Sequence, residues 1–224
     1  MAIERKELME APRFEGIGSF VYCRPGNDEW KPSYVMEFYG GQISVEVEDL
    51  EVSNPPVPGT MFLIGGRIRH NSRNATVSLV TETKKQLAVT WQDLTSEQMD
   101  IFVRGLRIWG VGNVHSKDSF TSTGPSRQTY LKTTLRWHGS THEFKKLSPE
   151  VYQRLPAPGK YIRFELGISV REERNRDGQM VVLQFPSLAS VTVDELATGS
   201  VPSAAATAAA GTPPKPPIPP AKAS

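Results

Sequence analysis

Two histidines separated by three residues, His138 and His142, one cysteine, Cys23, and an acidic pair, Glu172 with Glu173, are the residues that could carry out chemistry. The histidine spacing would suit a zinc pair on a helix, but "HGS" at 138–140 reads as a hairpin turn. A lone cysteine also cannot complete a cysteine-pair site. Cys23 therefore reads as an incidental thiol and the acidic pair as a solvated turn. No Walker-type phosphate loop is present, and Gly40–Gly41 and Gly65–Gly66 read as bends. The expectation is a protein that is not an enzyme and needs no cofactor or metal.

A different chemistry lies in alternation. In "TYLKTTLRW" (129–137), Leu131, Leu135 and Trp137 share one face of a strand, and Tyr130, Lys132, Thr134 and Arg136 share the other. In "KYIRFELGI" (160–168), Tyr161 and Arg163 face away from Ile162, Phe164, Leu166 and Ile168. In "RGLRIWG" (104–110), Arg107 and Trp109 oppose Leu106 and Ile108. Three strands thus each set an aromatic ring beside a cation, which suits bases stacking on rings and phosphates tracking positive charge. The plain alternative is that β-propensity alone puts Tyr on strands and that tryptophans plug barrel ends. Trp137 is kept as a stacking candidate with the others.

Charge supports an anionic partner. Residues 103–165 hold 11 Lys/Arg against 4 Asp/Glu, a net of +7, while residues 1–52 hold 5 against 11, a net of −6. The first half is the weaker binder, offering Arg67, Arg69, Tyr34 and, in a connection, Trp30. Its acidic side suits a protein partner or the basic half of another copy, which would make self-association along a strand a further expectation. In the second half, the connection from Gly112 to Thr129 reads as a mobile loop carrying Lys117, Phe120 and Arg127.

The elements that must position these residues repeat. "VPGTMFLIGGRI" (57–68) returns as "APGKYIRFELGI" (157–168), each a Pro-Gly turn feeding a half-buried strand. Five β-prone runs precede residue 90 and five follow residue 102. "LTSEQMDIFVRG" carries a capping box at Thr95 and Gln98, and "LSPEVYQRL" is N-capped by Ser148 with Pro149 in the first turn. The expected organisation is a first domain at 12–90, a linker helix at 91–102, a second domain at 103–196 and a disordered tail at 197–224. That tail has 7 prolines in its 28 residues. It reads as a spacer, with a groove-bearing protein partner for "PPKPPIPP" as the alternative.

Five strands with a long, glycine-bearing first strand (Gly16, Gly105) and a helix between strands three and four resemble the oligonucleotide-binding (OB) fold. The fold class expected is all-β: two tandem five-stranded OB-like barrels with short helices. An antiparallel β-sandwich is the competing fold. The resemblance extends to single-stranded DNA-binding proteins and implies a role in DNA replication, recombination or repair. Bacterial members end in an acidic, aromatic-tipped tail, and this chain's "PPAKAS" departs from that, in keeping with a phage or plasmid type. An RNA-binding OB protein and a virion-like β-rich assembly protein are the alternatives. The charged N-terminus and the lack of a long apolar run imply no membrane partner and a cytoplasmic location.

Overall fold

The computed structural model describes residues 10–26, 31–47, 54–71, 75–88, 91–123, 127–138, 140–174, 176, 178 and 180–193. Trp30 and the whole tail at 197–224 lie outside the described residues. The first run of strands is β1 (Arg13–Arg24), β2 (Ser33–Phe38), β3 (Gly41–Glu46), β4 (Met61–Asn71) and β5 (Thr76–Ala88). A turn of 3-10 helix (Trp91–Asp93) and α1 (Ser96–Arg104) lead to β6 (Arg107–Thr121), β7 (Thr129–Trp137) and β8 (Ser140–Phe144). Then come α2 (Pro149–Arg154), β9 (Tyr161–Arg174) and β10 (Met180–Val193). No helix among the described residues is long and apolar enough to cross a membrane.

The first five strands close on themselves. β1 pairs antiparallel with both β2 and β4, β2 pairs with β3, β4 pairs with β5, and a parallel contact of β3 with β5 (Val45↔Leu79, Glu46↔Val80) seals the ring. This is a five-stranded Greek-key barrel in the OB order. Phe14, Met36, Val45, Ile64 and Leu79 fill its interior, all almost fully buried. The last five strands repeat the order, β6 pairing with β7 and β9, β7 with β8, and β9 with β10. Between β8 and β10 there is no ladder among the described residues, so this second unit is open on one side. Instead β10 lies against β5, where Gln184 Nε2 donates to the Val77 carbonyl at 3.4 Å. β1 also pairs with β6 over Arg13↔Trp109, Phe14↔Ile108 and Glu15↔Arg107, joining all ten strands in one sheet.

The repeated Pro-Gly segments turn out to be the same clamp built twice. The Gly59 N–H donates to Phe20 O and the Gly159 N–H to Val114 O, each at 2.7 Å. The Phe20 N–H returns to Thr60 O and the Val114 N–H to Lys160 O, each at 2.8 Å. Both glycines sit at φ 90°, where a side chain would be strained. Registered on that clamp, Gly16 and Gly18 of β1 face Ile64 and Phe62, while Gly110 and Gly112 of β6 face Phe164 and Ile162. The counterpart of Gly16 is therefore Gly110, not Gly105. Gly105 ends α1 at φ 71°, because the helix runs on to Arg104 before the strand begins. The strand glycines let a ring lie on the backbone: a Cβ on Gly18 would meet Phe38 at 2.9 Å, and one on Gly110 would meet Phe164 at the same distance.

Gly66 is more constrained still. It follows a register slip in the β4–β5 ladder, and a Cβ there would fall 2.1 Å from the Val80 carbonyl oxygen. Gly66→Ala is expected to cost about 3 kcal/mol of stability, read by urea unfolding, since backbone rather than a flexible side chain would have to move.

Both short helices begin as their sequences demand. Thr95 Oγ1 accepts the Gln98 N–H at 3.3 Å and Gln98 Oε1 accepts the Thr95 N–H at 3.0 Å. Ser148 Oγ accepts the Val151 N–H at 3.2 Å. α2 buries Val151, followed by Leu155, in the core of the second unit.

Candidate nucleic-acid interface

β6 does not stop at Val114 but continues to Thr121, so most of the expected loop is a two-stranded ribbon with β7. Polar cross-strand pairs hold it together: Ser116 Oγ donates to Thr134 Oγ1 at 3.1 Å, and Thr133 Oγ1 donates to Ser116 O at 2.6 Å. Near its tip Phe120 and Tyr130 sit directly opposite each other, rings 5.3 Å apart and inclined by 32°. Lys132 Nζ lies 6.0 Å from the Phe120 ring centre and Lys146 Nζ 5.4 Å from that of Tyr130. The Tyr130 hydroxyl donates to Gln128 Oε1 at 2.7 Å.

Sequence reasoning missed Lys146. It follows β8 with a left-handed backbone (φ 57°), and the next N–H, that of Leu147, donates to Leu131 O at 2.9 Å, which folds this segment back beside β7. Lys132 pairs with Glu143 at 3.2 Å, and Lys145 pairs with the same carboxylate at 2.9 Å. The hydrogen bond from Lys145, then that from Lys132, holds the Glu143 carboxyl below its usual range against the opposing effect of burial. Arg136 is exposed farther along β7, and Arg127 is exposed beyond the ribbon tip. Across three strands, Tyr161, Asn113 and Arg136 stand side by side in register. Arg127, Arg136 and Lys146 have no carboxylate partner among the described residues.

Several expected contacts are corrected. Trp137 is only 4% exposed, its ring 5.3 Å from Phe164 and 5.7 Å from His142, so it fills the second unit's core and offers no face to a base. Its parity with Leu135 decides this: inward positions are covered once the strands coil into a barrel. Tyr34 is likewise 4% exposed and meets Phe20 edge-on at 5.0 Å. Lys117 is not in a loop. Its Nζ donates to Leu155 O at 2.7 Å and lies 4.8 Å over Tyr152, tying β6 to α2.

The expected three-strand face also divides in two. β6 meets β9 through its first half and β7 through its second, so Arg107 and Trp109 lie away from the ribbon tip. Arg107 stacks 5.4 Å from the Trp109 ring and its Nε donates to Glu165 Oε1 at 2.9 Å. With Arg13, Arg163 and Thr192 they line a separate cleft of 390 Å³. On the first barrel, Arg67 is held by Glu82 at 2.7 Å and Arg69 by Glu46 at 3.1 Å, which neutralises both.

His142 occupies the place that Ile43 holds in the first barrel, each paired one strand over from a core residue, Leu135 and Met36. It reaches out of its own unit, its Nδ1 2.6 Å from Nε2 of His70, so one neutral ring donates to the other. Burial first, and then His70, push the His142 pKa down to about 4, with Glu143 opposing. Burial lowers that of His70 as well. Unfolded histidine takes up a proton near pH 6.5, so the stability held by the neutral pair is complete above that pH. It is lost as pH falls toward 4. For His142 the loss is about 3 kcal/mol, read by urea unfolding at about pH 7.5 and about pH 4.5, and His142→Ile is expected to remove most of it.

No family model matches the sequence, and no curated protein does. Among solved structures, the chain is similar to a deletion mutant of the single-stranded DNA binding protein from Thermus aquaticus. There the TM-score is 0.40 and the identity 12%, covering 81% of this chain and 93% of that one. It is also similar to the Ifi202 HINa domain in complex with dsDNA (TM-score 0.24, 9% identity, 81% of this chain and 96% of that chain). A murine DNA binding protein bound with ds DNA gives 0.25 and 9%, over 79% of this chain and 98% of that chain. These likenesses are of fold.

Proposed function

We propose that this chain binds single-stranded nucleic acid, DNA in the first place, as a non-catalytic protein of replication, recombination or repair. The observation that carries the reading is the Phe120–Tyr130 ring pair on the β6–β7 ribbon, with Lys132 and Lys146 over the rings. In OB folds the second and third strands and the loop joining the first two form the binding face, and β7, β8 and the ribbon tip are those parts here. Bases stack onto the rings, displacing the Lys146 ammonium toward the flanking phosphates while Lys132 stays with Glu143. Neither contact reads a sequence.

The test is fluorescence anisotropy of labelled single-stranded DNA, single-stranded RNA and duplex DNA. Tight binding to the single strand with little to the duplex is expected. With Arg127, Arg136 and Lys146 as the cations free to neutralise phosphates, log K against log salt should slope at about −2. Absence of single-strand binding at low salt would overturn the proposal.

A further inference from the structure

We infer that the cleft between the first barrel and β10 is a nucleotide pocket that selects a base bearing an exocyclic amino group. The inference rests on the single-strand reading above for its main ligand, a nucleotide of the bound strand, yet it concerns a site that neither unit forms alone. The cleft encloses 380 Å³, within the range of small-molecule sites. Its floor is apolar, made by Val77 and Leu79 of β5 and Val182 of β10. At the other wall are Tyr22, 44% exposed, and Arg24, whose guanidinium donates to the Tyr22 hydroxyl at 3.1 Å and to Ser44 Oγ at 3.3 Å. Lys31, exposed, adds a second cation. An apolar floor for a base, a ring beside it and two cations for a phosphate make a nucleotide's complement.

Gln184 supplies the selectivity. It is 4% exposed and lines the cleft, and its Nε2 donates to the Val77 carbonyl, which accepts only and so fixes which way the amide points. Its Oε1 is buried with no hydrogen-bond partner among the described residues. A buried acceptor without a donor favours a ligand that brings one. Cytosine and adenine present an amino group, whereas thymine presents a carbonyl oxygen at the equivalent place and would set oxygen against oxygen.

The experiment compares oligo(dC) with oligo(dT), each about thirty bases long, on the full chain. The two are pyrimidines of similar size, so stacking is matched. The wild type should bind oligo(dC) about tenfold more tightly, the effect of one satisfied buried acceptor. Gln184→Leu, which removes the amide, and Ser44→Phe, which fills the cleft from the half-buried face of β3, should each bring the ratio within about twofold while oligo(dT) affinity stays. Saturation-transfer NMR with dCMP separates the sources. Saturable binding that Ser44→Phe abolishes supports a free nucleotide, and a dC preference without dCMP binding supports a nucleotide of the strand. Oligonucleotide binding with no dC preference and no dCMP binding overturns the pocket alone, as does a preference that survives either substitution. No binding of any of the three ligands overturns the pocket and the proposed function together.

Discussion

Phe120→Ala combined with Tyr130→Ala is expected to weaken single-stranded DNA binding by about a hundredfold while the protein stays folded. Each ring that stacks a base contributes roughly 1–3 kcal/mol, and removing both at once exceeds what the remaining cations can replace. The rings are half-buried, packed on each other and beneath lysines, and lie outside the buried core. Their loss should therefore cost about 1 kcal/mol of stability, the worth of an aromatic pair. Anisotropy gives the affinity and a urea titration the stability. The double variant should retain weak binding that disappears quickly with salt, because Arg127, Arg136 and Lys146 remain.

Trp137→Ala is expected to do the reverse, costing about 3–5 kcal/mol of stability with no direct effect on DNA contacts. Its ring touches Phe164, Phe144 and His142, so truncation opens a cavity at the centre of the second unit. Urea unfolding reads the loss. Molecules that remain folded, counted by stoichiometric titration with excess oligonucleotide, should bind with wild-type affinity. A Trp137→Ala protein of normal stability but weakened binding would show that the ring serves the ligand after all.

The contrast between these two aromatics shows what was legible from the chain. Alternation put Trp137 with Leu135 and Tyr130 with Lys132, and the structure keeps that parity. Whether an inward ring is covered depends on barrel closure, which is non-local, and an adjacent arginine made Trp137 look like a stacking platform. The order of all ten strands, the doubled Pro-Gly turn and both helix caps were legible because each depends on residues within a few positions, whereas the clamp those turns make joins residues about forty apart and was not.

Strand ends were less legible. β6 runs through His115, Ser116 and Lys117, residues that look like a loop, since its partner in the ribbon is β7 rather than a core. β10 runs past Pro186, which ordinarily ends a strand. It does not here because β10 is at the sheet's edge, where a proline is tolerated. Lys146 was invisible because only the left-handed turn after β8 brings it over Tyr130. The cleft under Gln184 joins segments more than a hundred residues apart.

The most direct test of where the strand lies is photocrosslinking to bromodeoxyuridine-substituted single-stranded DNA, with the labelled residues identified by mass spectrometry. Crosslinks at Phe120 and Tyr130 are predicted, lost on competition with unlabelled single strand and retained against duplex. Crosslinks confined to Trp109, with Phe120 and Tyr130 unmodified, would contradict the account and move the interface to the cleft lined by Arg107, Trp109 and Arg163.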